Sequence, residues 1–86
     1  MDLSRCAVGA ATRIVDVDVE PGMRRRLGEL GLRPGAVVQV TQDVRRQGRV
    51  LAVGAERFAL DVRTCTLIAV EPVGAAEPAL EQAARA

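Results

Sequence analysis

Pro21-Gly22-Met23-Arg24-Arg25-Arg26-Leu27-Gly28-Glu29-Leu30-Gly31-Leu32-Arg33-Pro34-Gly35-Ala36 is the stretch that decides the fold. Pro21 suits the first helical position, where its missing N–H is not needed and its φ is already set. Met23, Leu27 and Leu30 recur at i, i+4 and i+7, which predicts a short helix over Pro21 to Leu30 with one apolar stripe. Arg24, Arg25 and Glu29 lie away from that stripe. At ~1.5 Å per residue the helix is only about 15 Å long, too short to persist unless it docks on other elements. Its end is marked. Gly31 can take the left-handed conformation at C′, which places Leu32 at C″ against Leu27 at C3. Arg33-Pro34-Gly35-Ala36 then has Pro and Gly at the two central positions of a type II turn, so the chain reverses at once.

Strand patterns lie on both sides of this reversal. Thr12 to Val19 alternates, with Val15, Val17 and Val19 on one face and Ile14, Asp16 and Asp18 on the other. Ala36 to Thr41 alternates again, with Ala36, Val38 and Val40 on one face. Asp43 to Gly48 reads as a polar, arginine-bearing loop. Arg49 to Val53 reads as a strand, and Gly54-Ala55 as a two-residue hairpin connection. Glu56 to Asp61 returns with Phe58 and Leu60 on one face, Val62 to Thr66 makes a single helical turn, and Leu67 to Glu71 closes with Ile68 and Val70 inward. Five short strands, one tight hairpin and one small helix between the first two strands predict a mainly β, SH3-like barrel. Phe58, Leu27, Leu30, Val38, Val40, Leu60, Ile68 and Val70 are its expected core. The barrel is expected to occupy residues 1–73, and the alanine-rich residues 74–86 to form a flexible tail or frayed helix.

Composition fits one globular domain: 86 residues, 49% apolar and 27% charged, with Phe58 the sole aromatic. Twelve arginines against eleven acids leave a net charge of +1, too weak a field to imply nucleic acid or an anionic membrane as partner. Cys6 and Cys65 lie outside any metal-ligand spacing and read as reduced, buried small residues. No basic segment leads into an apolar one at the start, and no run reaches the ~18 apolar residues of a membrane span, so a soluble, cytoplasmic protein is expected.

The segment Arg24 to Gly35 resembles the signature of the FeoA family: a basic short helix with a leucine, a Leu-Gly-Leu step, then Pro-Gly and a valine-rich strand. Val-Leu-Ala-Val-Gly over Val50 to Gly54, Phe-Ala-Leu over Phe58 to Leu60, and Leu-Ile-Ala-Val-Glu-Pro over Leu67 to Pro72 agree with it, as does Gly9 before the first strand. The resemblance spans about residues 3 to 73 and leaves out the alanine-rich tail. Cys65 stands where the family more often has alanine. The resemblance implies a non-enzymatic, SH3-like accessory protein of ferrous iron uptake, acting on the cytoplasmic GTP-binding part of the membrane transporter FeoB. The effector-type C-terminal domain of metal-dependent repressors is the alternative within the same fold. No helix-turn-helix segment accompanies it here, which argues against a complete repressor.

The chemistry-bearing residues point the same way. There is no histidine, the commonest metal ligand. Asp16 and Asp18, with Asp61 or Glu71 in reach in principle, read as a solvated strand face rather than an iron site, so no metal or other cofactor is expected. No nucleophile–base pair and no Walker-type phosphate loop is present, so no catalytic residue is assigned. A basic patch of Arg24, Arg25, Arg26, Arg45, Arg46 and Arg49 would suit phosphates, but no stacking aromatic accompanies it. The expected partner is therefore a protein with an acidic surface. The residues expected to meet it are Arg24 and Arg25 on the helix and Arg45 and Arg46 in the loop, where arginine can pair with carboxylates.

Overall fold

The computed structural model describes residues 1–73, and the expected tail of residues 74–86 lies outside the described residues. Its elements are β1 (Ala11–Val17), α1 (Pro21–Glu29), β2 (Val37–Val44), β3 (Gly48–Val53), β4 (Glu56–Asp61), α2 (Val62–Thr66) and β5 (Ile68–Pro72). The five strands form one antiparallel sheet in the order β4-β3-β2-β1-β5. The mainly β architecture, with a helix between the first and second strands, is the one the sequence predicts.

The helix stop forms as its residues dictate. Leu30 is the C-cap; the Gly31 N–H donates to the Gly28 carbonyl at 3.0 Å and the Leu32 N–H to the Leu27 carbonyl at 2.9 Å. These are the two hydrogen bonds of a Schellman end. Gly31 has φ +98, and a Cβ there would stand 2.8 Å from Cγ1 of Val53, so the helix end abuts β3. The Ala36 N–H then donates to the Arg33 carbonyl at 3.0 Å, closing the expected turn.

Because α1 ends at Glu29, one residue earlier than the stripe predicts, Leu30 rotates out and is 45% exposed. Leu32 takes its place and is fully buried, beside buried Leu27 and half-buried Met23. A second departure lies in β1. The register with β5 slips between Ile14 and Asp16, a β-bulge that gives two residues to one partner position. Ile14 and Val17 both point inward, whereas Val15 is 48% exposed, so the expected Val15-Val17-Val19 face does not form. Third, β2 runs through Val44 and β3 begins at Gly48, which shortens the expected Asp43–Gly48 loop to a turn at Arg45, Arg46 and Gln47.

The sheet curls around Ile14, Val17, Val38, Val40, Leu51, Ile68 and Val70. Its edges, β4 and β5, are bridged by α2, which buries Cys65, and by the N-terminal residues. Asp2 pairs with Ala69, the Leu3 N–H donates to the Ile68 carbonyl at 3.1 Å, and the Val70 N–H donates to the Met1 carbonyl at 2.7 Å. Leu3 and Cys6 thereby enter the core, a contribution the sequence does not announce. Phe58 and Leu60 pack against the core but stay half-buried, because β4 has a strand on one side only.

Gly48 marks the tightest approach in the sheet. It is buried at φ +148, and a Cβ would fall 2.0 Å from the Leu60 carbonyl oxygen on β4. Neither backbone can yield without opening the β3–β4 ladder. Gly48→Ala is expected to destabilise the domain by more than ~2 kcal/mol, read as a fall in the urea midpoint, whereas Gly28→Ala on α1, with nothing within 4 Å, should not lower it.

Candidate interaction surface

Glu20 caps α1: its carboxylate accepts from the N–H groups of Gly22 at 2.9 Å and Met23 at 3.0 Å. That cap sets the phase of the helix and turns Arg24 back toward β1. Arg24 Nε donates to the Val17 carbonyl and its Nη2 to the Val19 carbonyl, both at 3.2 Å. Arg24 is thus a strut between helix and strand. Arg25, one residue on, is exposed, and its side chain has no hydrogen bond or ion pair among the described residues.

Arg45 and Arg46 sit in the turn closed by the Gln47 N–H donating to the Val44 carbonyl at 2.8 Å. Both are exposed and without a side-chain partner among the described residues. Arg46 is the only described non-glycine residue at positive φ, +65. This turn follows the end of β2, whereas α1 leads into the start of β2 and is tied to the far end of β1. The eight residues of β2, bent by a bulge between Val40 and Gln42, lie between them along the chain. The structure commits Arg24 to the Val17 and Val19 carbonyls, so the four arginines are not four equivalent free cations. It also removes Arg49 from the basic surface, since its guanidinium is taken up by Asp43 and the N-terminal carbonyls.

The carboxylates are dispersed as well. Asp61 caps α2, accepting from the Thr64 N–H at 3.0 Å, and hydrogen bonding from the Thr64 side chain and N–H holds its carboxyl below the ordinary range. Glu71 pairs with Arg13 at 3.7 Å, and Asp16 and Asp18 are exposed. Among the described residues no three of His, Cys, Asp and Glu gather as metal ligands.

A groove of about 580 Å³, which sequence reasoning missed, runs between α1 and α2. Val19, Met23 and Leu67 line it together with Asp18, Glu20 and Arg63. Its walls come from elements far apart in the chain, so no local motif announces it. Beneath α2, burial pushes the Cys65 thiol up to about 11. No helix among the described residues is long and apolar enough to cross a membrane.

The profile of the FeoA domain matches residues 1–72. The solution structure of iron(II) transport protein A from Clostridium thermocellum is 31% identical and superposes with a TM-score of 0.78. That match covers 86% of this chain and 46% of the relative, so the chain spans about half its length. The FeoA protein of Chlorobium tepidum is 25% identical at a TM-score of 0.79, over 86% of this chain and 71% of that one. The FeoA of Stenotrophomonas maltophilia, a prokaryotic SH3 domain protein solved in complex with zinc, is 26% identical at 0.71. There the match covers 83% of this chain and 89% of that one. A comparison with curated protein sequences finds no match.

Two outcomes test these assignments. Arg24→Ala removes its two hydrogen bonds to the Val17 and Val19 carbonyls and is expected to cost about 1 kcal/mol, whereas Arg25→Ala should leave the melting temperature unchanged. For Cys65, the unfolded thiol ionises near its ordinary pKa of 9.0 and the folded one only near 11. The unfolded state then holds fewer protons between those values, so stability falls as pH rises across that window, by about 2–3 kcal/mol in all. Denaturant titrations from pH 8 to 11 should show that slope in the parent and lose it in Cys65→Ala.

Proposed function

The chain belongs to the FeoA domain family, and from that membership we propose that it is a non-enzymatic accessory protein of ferrous iron uptake. Its partner in this reading is a FeoB-like membrane transporter, engaged through the transporter's GTP-binding part on the cytoplasmic side. The observation that carries the reading is the extent of the match, residues 1–72 of an 86-residue chain. It is supported by the Stenotrophomonas maltophilia relative, an SH3 domain protein connected by its description with activating ferrous iron transport. Nucleotide chemistry is assigned to the partner, and this chain contributes a binding surface.

Among the four arginines, we assign most of the contact to Arg45 and Arg46. Arg24 is committed to holding α1, and Arg25 lies on a different element from the turn. The two turn arginines are adjacent, exposed and free to pair with carboxylates. A positive φ at Arg46 holds a non-glycine residue in a costly conformation, the kind of local strain that clusters at binding sites.

Titration calorimetry of the purified protein against the transporter's GTP-binding part tests both statements. A complex whose affinity falls with added salt is expected. Arg45→Ser with Arg46→Ser should weaken it about tenfold, or ~1.4 kcal/mol, without loss of thermal stability, while Arg25→Ala has a smaller effect. Absence of a complex at any salt concentration would remove the proposed partner. Equal affinity of parent and double variant would move the contact to another surface.

A further inference from the structure

The two edges of the sheet are treated differently. Along β5, residues Met1 to Leu3 take up the edge through the Asp2–Ala69 bridge and the hydrogen bonds on either side of it. The outer edge of β4 pairs with no strand among the described residues. It carries no proline, no lysine and no irregularity in its register with β3, and its charged residues, Glu56, Arg57 and Asp61, include both signs.

The register shows which backbone groups are free. Val53 and Glu56 flank a two-residue loop and exchange hydrogen bonds, and bonded and non-bonded pairs then alternate along the ladder. Phe58 and Leu60 therefore direct their N–H and C=O toward Leu51 and Arg49 on β3. The N–H groups of Arg57 and Ala59 point the other way, into open space, as does that of Asp61, which meets its own carboxylate.

These residues read the same way in both directions. If Arg57-Phe58-Ala59-Leu60-Asp61 is laid antiparallel on itself about Ala59, Arg57 faces Asp61, Phe58 faces Leu60 and Ala59 faces Ala59. Every charged and every apolar pair occurs twice. The outward-directed residues also meet one another, so the hydrogen-bond phase is right. Centring on Phe58 instead would set Glu56 against Leu60 and Arg57 against Ala59, losing both kinds of complementarity. Asp61 caps α2 and stays exposed, so its carboxylate can also meet a guanidinium. Phe58 and Leu60, half-buried in the single chain, would be covered further by their counterparts.

We propose that two copies of this chain associate by antiparallel pairing of β4 with β4 about a two-fold axis at Ala59, joining their sheets into one. The interface is isologous and closes at two copies. It stands independently of the transporter partner.

Sedimentation equilibrium from low micromolar to near-millimolar protein, combined with amide hydrogen exchange, tests it on the parent chain. A monomer–dimer equilibrium is expected, with exchange at Arg57 and Ala59 slowing as concentration rises. Ala59→Pro removes an outward N–H without breaking a bond to β3. Arg57→Glu sets like charge against Asp61. Each should raise the dissociation constant at least about tenfold, with circular dichroism confirming the fold. A chain that stays monomeric throughout, or a dimer unaffected by both variants, overturns the proposal. So does exchange at Arg57 and Ala59 that ignores concentration, including exchange that slows only when the transporter's GTP-binding part is added.

Discussion

Residues 1–6 cross the open side of a curled sheet, and the guanidinium of Arg49 is what fastens their inner end. From β3 it donates to the carbonyls of Leu3 and Cys6 while its Nε reaches Asp43 at 3.3 Å. Its side chain is only 13% exposed, so the carbonyls it satisfies have little water to turn to. A buried carbonyl without a partner costs about 1–3 kcal/mol, and two of them would favour release of the segment. With it would go Leu3 and Cys6, two members of a small core. The other end of the segment is held by β5, so the crossing is pinned on both sides of the gap. An arginine that reads from sequence as part of a basic patch is here the fastening of the barrel.

What the sequence discloses is what short-range geometry decides. The end of α1 needs one glycine and two leucines at fixed offsets, and Gly31, Leu27 and Leu32 supply them. The β3–β4 hairpin needs a glycine between two alternating runs, and Gly54 supplies it. Residues whose role depends on distant partners are not disclosed. Val15 looks inward by alternation, but the bulge that turns it out is set by pairing with β5, more than fifty residues away. Leu30 satisfies the helical period, yet the stop that ends the helix also rotates Leu30 into solvent and gives its place to Leu32. Leu3 sits in no periodic pattern and is buried because a gap exists between β4 and β5. The candidate surface follows the same rule. That Arg45 and Arg46 are exposed was legible from their turn, whereas the engagement of Arg24 by the Val17 and Val19 carbonyls depends on how α1 docks on the strands.

The molecule is in consequence a scaffold with distinct faces. The basic turn lies at one end of the strands. Between α1 and α2 runs a groove lined by apolar side chains and by charges of both signs. The β4 edge lies to the side, away from the edge that the N-terminal residues cover. None of these faces needs another in order to be free, so any one of them can be covered while the rest of the sheet stays intact.

The bulge in β1 also bears on how the length of the chain can vary. Thr12, Ile14 and Val17 are the inward residues of this strand, and the interval between the last two is three where a regular strand requires two. Loss of Val15 alone would restore the even spacing and keep all three side chains facing the core. Gain of a residue between Thr12 and Ile14 would instead send Ile14 and everything after it to the wrong side. Deletions and insertions are therefore not equivalent here: the strand carries one spare residue, at one place, and related chains that differ in length within β1 are expected to differ there.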